Sequence, residues 1–360
     1  MAFPRILIIH LEALGAVLRA TSILPAIKRK YPKSHITWVT QAPAEQLLKP
    51  SSLIDRVLTT KSDDQLVLGA LKFDLAFVID KSLKAAGVLA LTKAKEVRGF
   101  IVDGWNAAIR PANPEAEGLW RLGLDDNLKF HINRKPETQL MVEALALGDF
   151  RRDEYQVELS PAEKAQVEER RKKWLGRNEL IIGLNTGCSG VIPYKRWTVE
   201  YHQRLIREIQ NQFQASVVLL GGPEDEIRNQ QMAAGAKVIQ SPTTAGPRDG
   251  LVSVAACDMV VSGDSLGMHM AIALKKWTVA WFGPTCAHEI DLYERGVHLQ
   301  AQVHCSPCWK RSCSNAVMCY DQVPVEKVLE ALRQGQTWIL ASKMSSSKPP
   351  FLETSSLASP

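Results

Sequence analysis

The sequence predicts an α/β protein built as two facing, doubly wound domains, and three observations carry that expectation. Short runs of β-branched and aliphatic residues alternate with helical spacing along most of the chain, the rhythm of a parallel sheet with crossover helices. At Ser160-Pro-Ala-Glu163 the rhythm restarts: an N-cap serine, a proline at the first helical position and a glutamate closing a capping box make a strong helix start. Polar, glycine-rich loops then follow the strands of the second half, where open α/β sheets hold ligands. The 360 residues are enough for two cores of ordinary size. The pattern therefore gives two Rossmann-like domains, residues 1–158 and 159–341, and a Ser/Pro/Lys-rich tail at 342–360 that reads as disordered.

In the first half, residues 5–9 form a strand of the buried parallel type. Residues 17–31 carry helical spacing in Val17, Leu18, Thr21, Leu24 and Ile27 until Pro32 stops the helix. Strands follow at 35–40, 56–59, 74–79 and 96–100, with helical stretches around 42–48, 65–71 and 83–91 between them. From 101 to about 155 the pattern loosens, apart from a helix near 137–147. The second half offers a helix at 160–174, a strand at 180–184, a helix at 199–212, and strands at 216–220, 237–239, 257–261 and 278–282. A closing helix at 323–332 is of the kind that crosses back to the first domain in such folds.

Composition narrows the class. With 46% hydrophobic and 23% charged residues the chain is ordinary soluble material, and no stretch reaches the length of a membrane span. The apolar start lacks a small-residue cleavage site, so a cytoplasmic location is expected. A formal net charge of +6 without long Lys/Arg runs argues against a nucleic-acid arm. It suits an anionic small molecule or an anionic membrane surface, which allows peripheral attachment at the inner membrane face.

The chemistry gathers after the strands of the second half. A buried strand at 258–261 runs into a helix through Gly263, Asp264, Ser265, Leu266, Gly267 and Met268, with His269 in the first helical turn. Ser265 reads as an N-cap, and the helix amides behind it as an anion site. The competing reading is that Asp264 and Ser265 only cap the helix while His269 packs beneath it. Asn185-Thr186-Gly187, Lys195-Arg196-Trp197, Gly221-Gly222-Pro223-Glu224 and Gly283-Pro284-Thr285 occupy similar positions. Alone, each is a tight turn or a solvated helix start. Together at consecutive strand ends they outline a nucleotide-diphosphate site, with glycines admitting the ligand and Lys195 supplying a point charge. Asp264 would repel phosphate and suits hydroxyl groups of a ligand. No Gly-x-x-x-x-Gly-Lys-Ser/Thr, no Gly-x-Gly-x-x-Gly after the first strand and no Asp-x-Asp occurs in these loops, which leaves a metal-independent, two-domain transferase.

On Gly183-Leu-Asn-Thr-Gly187, Lys195-Arg-Trp197, Leu219-Leu-Gly-Gly-Pro223, Gly263-Asp-Ser-Leu-Gly-Met-His269 and Phe282-Gly-Pro-Thr285, the chain resembles the ADP-heptose:lipopolysaccharide heptosyltransferases, glycosyltransferase family 9. The resemblance covers roughly residues 5–332 and implies the two-domain GT-B fold. It implies inverting transfer of a sugar, heptose by expectation, from a nucleotide-sugar donor such as ADP-heptose to a glycolipid acceptor of the lipopolysaccharide-core type, with no cofactor required. The donor would lie against the C-terminal domain, facing Asn185, Thr186, Gly187, Lys195, Gly222, Glu224, Asp264, Ser265, Leu266, Gly267, Met268 and His269. Lys195 and Asp264 would act in the chemistry, and the N-terminal domain would bind the acceptor. The first loop departs from the family. Where a Gly-Asp-Val aspartate is expected as general base, this chain has Gly15-Ala16-Val17, and a methyl group takes no proton. Either Glu12 or another cleft carboxylate such as Asp103 substitutes, or the protein binds donor and transfers poorly, or the sequence is an altered form of an active parent. Asp80-Lys81 ends another strand and either lines the acceptor site or caps a helix.

Cys305, Cys308, Cys313 and Cys319 form a C-x2-C-x4-C-x5-C cluster. In a cytosolic chain such spacing suggests tetrahedral zinc or, second, an iron–sulfur cluster. The competing reading is a set of structural thiols or disulfides that steady a loop, since a second C-x-x-C knuckle is missing. Oligomeric state is left open.

Overall fold

The computed structural model describes residues 3–11 and 13–346. In the first sheet, β1 (Arg5–Ile9), β2 (His35–Thr40), β3 (Arg56–Thr59), β4 (Lys72–Val78) and β5 (Lys93–Val102) are parallel. The short β6 (Ile109–Pro111) adds antiparallel to β5, and the order is β3-β2-β1-β4-β5-β6. Six helices accompany it: α1 (Leu14–Ala20), α2 (Ile23–Lys30), α3 (Ser62–Ala70), α4 (Leu83–Ala90), α5 (Glu117–Arg121) and α6 (Glu137–Ala144). Ile6 to Ile9 are completely buried, as an unbroken aliphatic run must be when helices cover both faces of a sheet. The single helix predicted over 17–31 is split at Thr21–Ser22. Pro25 has no N–H to give the carbonyl of Thr21, four residues earlier, and the Thr21 hydroxyl turns back to the Leu18 carbonyl at 2.6 Å.

The second domain opens with α7 (Pro161–Leu175), whose predicted capping box is complete: Ser160 Oγ accepts from the Glu163 amide at 3.3 Å, and Glu163 Oε2 accepts from the Ser160 amide at 2.8 Å. Then come β7 (Leu180–Asn185), α8 (Val199–Gln212), β8 (Ala215–Leu220), α9 (Glu226–Ala233), β9 (Ile239–Gln240), α10 (Pro247–Ala256), β10 (Met259–Gly263), α11 (Leu266–Ala273), β11 (Trp277–Phe282), β12 (Gly296–Gln300) and α12 (Val325–Ser346). The sheet is parallel throughout, in the order β12-β11-β10-β7-β8-β9. Both sheets thus run out from their first strand to one side and return to the other. Each has its topological switch point beside that strand, between β1 and β4 and between β7 and β10, where α/β sheets bind ligands.

An apolar seam joins the two domains. Leu18 and Leu47 of the first share a buried cluster with Leu251, Val254 and Met268 of the second. The connecting segment is tied down by Arg152 on Asp291 at 2.7 and 2.9 Å and by Arg295 on Glu154 at 2.8 Å. Helix α12 is longer than predicted and takes in residues 342–346, which the sequence pattern assigns to the tail; residues 347–360 lie outside the described residues. Val325, Val328 and Leu332 pack into the core of the second sheet, and Trp277 Nε1 donates to the Ala331 carbonyl at 3.0 Å. The helix therefore closes its own domain, where the pattern predicts a crossing to the first. No described helix is long and apolar enough to cross a membrane.

Candidate active site

The loops after β7 and β10 meet at the second switch point and lock each other. Asn185 Nδ2 donates to the Gly187 carbonyl at 3.0 Å and to Ser265 Oγ at 2.8 Å. Gly267 allows this approach, because a Cβ there would stand 2.4 Å from the Asn185 amide. A Cβ on Gly263 would fall 2.0 Å from the Lys195 carbonyl, so glycine at that position lets the segment around Lys195 rest on the end of β10. Ser265 occupies the N-cap position of α11, but its side chain makes no cap bond. Its hydroxyl takes the Asn185 amide and lies 3.2 Å from Ser262 Oγ instead. Leu266 is half-buried at the start of α11, whereas Met268 belongs to the interdomain core.

Asp264 is the acidic centre of this wall. Lys195 Nζ lies 3.6 Å from its Oδ2 and His269 Nε2 3.8 Å from its Oδ1. Burial alone raises the carboxyl pKa, but Lys195 pulls it the other way and the net position is below the ordinary aspartate value, so Asp264 is ionised. His269, in the first turn of α11, packs against α1 of the first domain. A Cβ on Gly15 would be 2.4 Å from the ring, and the Tyr155 hydroxyl approaches Nδ1 at 3.4 Å. Burial, reinforced by Arg19, lowers its pKa to about 3, which makes it a neutral imidazole at pH 7. At 3.8 Å it is too far for a hydrogen bond and serves as the wall behind Asp264.

The loop after β7 is held by contacts within its own domain. Thr186 is fully buried, and its hydroxyl lies 2.5 Å from Asn229 Oδ1 and 3.2 Å from the Leu220 carbonyl. A hydroxyl held in this way does not reach a diphosphate. Gly187 and Gly222 also do structural work, wrapping Asp225. A Cβ on Gly187 would collide with the Asp225 carboxylate at 1.9 Å, and the Gly222 amide donates to Asp225 Oδ2 at 3.0 Å. Asp225 is buried, which raises its pKa. Glu224 stays exposed on the outer side of this turn. Arg228 of α9, which the sequence reading does not single out, donates Nε–H to the Thr186 carbonyl at 3.2 Å. Burial lowers its pKa and so does Arg196, so two guanidinium groups flank the loop.

Across the seam, the first domain presents a different wall. Glu12 lies outside the described residues. Asp80 is buried and clamps the loop after β1, accepting the Leu11 amide and meeting His10 Nδ1. Ser82, not Asp80, is the cap of α4. Asp103 is engaged in the β5–β6 turn, accepting from the Trp105 amide at 2.9 Å with Arg110 at 3.7 Å. Ala16 is half-buried. One helical turn on, Arg19 stands 2.5 Å from Glu137 Oε2. Burial would lower the Arg19 pKa, but Glu137, Tyr155, Glu289 and Asp264 together raise it. Arg19 thus faces carboxylates of both domains, and its Nε has no hydrogen-bond partner among the described residues. Glu289, in the turn Ala287–Glu289 after β11, is 8% exposed and sits 3.7 Å from Lys129 Nζ of the first domain. Next to it, His288 Nε2–H donates to the Lys129 carbonyl at 3.1 Å. Burial pushes Glu289 up to about 7, with Glu137 adding to the effect and Lys129 and Arg19 opposing it. The sequence pattern singles out none of Arg19, Lys129, Glu137 or Glu289. The available signal was Arg19 itself, a lone charge three residues after Ala16 in an otherwise apolar helix.

A family model described as glycosyltransferase family 9 (heptosyltransferase) matches residues 66–318, well over half of the chain. The chain belongs to glycosyltransferase family 9. A curated relative, lipooligosaccharide heptosyltransferase 2 of Campylobacter jejuni, is 26% identical over 174 residues, 45% of this chain and 54% of the relative. The match thus spans about half the length of the curated relatives. Among solved structures, a glycosyl transferase family 9 protein from Veillonella parvula superposes with a TM-score of 0.73 at 19% identity, covering 93% of this chain and 98% of that one. The E. coli ADP-heptose lipopolysaccharide heptosyltransferase II gives a TM-score of 0.66 at 18% identity, with 92% and 98% covered. These likenesses show the two-domain GT-B fold that the resemblance implies. The family match includes every loop from Asn185 to Glu289, while Ala16 and Arg19 precede it.

The cysteine segment of this family 9 chain lies beside the same strand ends. Cys305, Cys308, Cys313 and Cys319 line a cavity of about 190 Å³ with Tyr194, Gly283 and Pro284. All four are free thiols, which sets aside disulfides among them. No three of their sulfurs come within 4.8 Å of one another. A tighter trio, Cys286, His288 and Glu289, does approach to that distance, but protein groups engage each member. Trp309 Nε1 donates to Cys286 Sγ at 3.5 Å, the Lys129 carbonyl takes His288, and the Lys129 ammonium faces Glu289. Burial and Glu289 push the Cys286 thiol up to about 12. Lys129 thus already fills the cationic place in this group.

Proposed function

We propose that this family 9 member transfers a sugar, heptose from ADP-heptose, to a glycolipid acceptor of the lipopolysaccharide-core type, with inversion and without a metal. The supporting observation is the convergence of Lys195, ionised Asp264 and the start of α11 at the second switch point, with Glu289 on the neighbouring loop after β11 and Arg19 on the first domain. In this reading the Lys195 ammonium and the α11 amides take the diphosphate, whose charge grows as its bond to the anomeric carbon breaks. Asp264, an acceptor only, holds sugar or ribose hydroxyls. A cleft carboxylate removes the proton of the acceptor hydroxyl as its oxygen bonds to the anomeric carbon. The nucleoside diphosphate leaves from the opposite face. The curated C. jejuni relatives, named for lipooligosaccharide heptose transfer, support this substrate class. A glycolipid acceptor places the work at the cytoplasmic membrane face, which suits a chain of net charge +6.

Ala16 favours a second reading, a nucleotide-sugar-binding protein with little or no transfer. Incubation with ADP-heptose and a panel of core-type acceptors separates the two. Release of ADP matched by sugar gained on the acceptor supports transfer, while donor binding with no release leaves only the second reading.

A further inference from the structure

We infer that Glu289 is the general base that deprotonates the acceptor hydroxyl, an assignment that rests on the transfer reading above. The argument is one of position and competition among carboxylates. Ala16 brings no proton acceptor to the first-domain wall, so the base must come from elsewhere in the cleft. Asp264 is ionised and held by Lys195 at 3.6 Å, with its pKa below the ordinary value; such a carboxylate is a weak base. Glu137 is bound to Arg19 at 2.5 Å. Asp80 is taken by the Leu11 amide and His10, and Asp103 by its own turn.

Glu289 remains. It follows Thr285 on the loop that leaves β11, the strand beside β10, and its nearest cation belongs to the opposite domain. At 3.7 Å, Lys129 is near enough to bias Glu289 but not to bind it as tightly as Arg19 binds Glu137. Lys129 belongs to the first domain and Glu289 to the loop after β11, so the Glu289 carboxylate stands at the contact between the domains, within electrostatic reach of Arg19 and Asp264. The charged groups that face it are therefore Glu137 on α6, Lys129 on the segment before α6, Arg19 on α1 and Asp264 after β10, with Cys286 and His288 on its own loop. Burial and Glu137 keep its proton affinity near neutrality, where a general base works best. In the step, the O–H bond of the acceptor breaks with its proton passing to Glu289. The acceptor oxygen bonds to the anomeric carbon, and the carbon–oxygen bond to the diphosphate breaks with its electron pair leaving on ADP.

The test compares the full-length wild type, Glu289→Gln and Glu289→Asp with ADP-heptose and lipopolysaccharide stripped of its core heptoses, over pH 5 to 9. In the wild type kcat/KM rises through about pH 7 to a plateau. Glu289→Gln lowers it by about 10²–10⁴-fold and removes the acid limb while ADP binding is unchanged, and Glu289→Asp keeps the limb at reduced rate. Glu137→Gln moves the limb to lower pH and Lys129→Met to higher pH, because the first group raises and the second lowers the proton affinity of Glu289. A wild type that transfers while Glu289→Gln transfers equally with its limb intact overturns this assignment alone, as does loss of the limb in Glu12→Gln but not in Glu289→Gln. A wild type that releases no ADP with any acceptor overturns the transfer reading and this assignment together.

Discussion

The two walls of the cleft are built on the same sheet topology and differ in what their switch points present. On the second-domain side, Asn185, Gly263, Gly267 and Ser265 knit two loops into a rigid cradle around Lys195 and Asp264. On the first-domain side, the corresponding loop is held from behind by Asp80 and presents Ala16, with Arg19 a turn further on. One wall sets an ammonium and an ionised carboxylate side by side on interlocked loops. The other contributes a cation and borrows a carboxylate from across the seam. A strand-end site therefore divides binding and chemistry unequally between its two halves, and substitutions on the two walls should fail in different ways.

On the donor-loop wall the largest expected effect is Lys195→Ala, which removes the only ammonium beside Asp264 among the described residues. Transfer should fall by about 10²–10³-fold, with weaker donor binding, as read by initial rates and by calorimetry with ADP. An unchanged affinity for ADP would detach Lys195 from the diphosphate. Next comes Gly267→Ala, whose added methyl meets Asn185 at 2.4 Å. It should cost about 1–3 kcal/mol of stability and weaken donor binding, with both visible in thermal melts with and without ADP. Equal melting behaviour would mean that the cradle is soft.

Glu289→Gln carries a further prediction for stability. The folded carboxyl is raised from 4.5 to about 7, so in the wild type ionising it costs stability as the pH climbs through that window. The glutamine variant escapes this cost. It should be more stable than wild type at pH 8, by on the order of 2 kcal/mol, and the advantage should vanish below pH 4.5. The smallest effect is expected for Ala16→Asp, which puts a carboxylate three residues before Arg19. In the wild-type background it should change transfer by less than about 3-fold, since an i, i+3 pair with Arg19 adds only a few tenths of a kcal/mol. In the Glu289→Gln background it should restore measurable transfer. A large gain in the wild-type background would mean that the first wall is a degraded site and that Glu289 is not the base.

Most of the fold was legible because buried parallel strands are short aliphatic runs, and Ser160-Pro-Ala-Glu163 carries its own cap chemistry. The elements without such signals were missed. β12 is a half-exposed edge strand interrupted by His298, and β6 is three residues long. The donor-side loops were legible as a group because glycine and polar residues gather at strand ends. The roles within them were less so, since only packing reveals that Thr186 points inward, that Gly187 and Gly222 enclose Asp225, and that Ser265 does not cap its helix. Glu289 and Lys129 had no local signature. They lie 160 residues apart in the sequence and acquire meaning only when the two domains close on each other.

The central claim, that the second-domain wall is a nucleotide-sugar site, is tested most directly by a calorimetric binding screen of ADP-, GDP- and UDP-sugars against the wild type and Lys195→Ala. The account predicts one site per chain, filled best by ADP-heptose and weakened at least about tenfold by the substitution, the equivalent of about 1.4 kcal/mol. Failure of every nucleotide sugar to bind, or equal binding by both proteins, would contradict it.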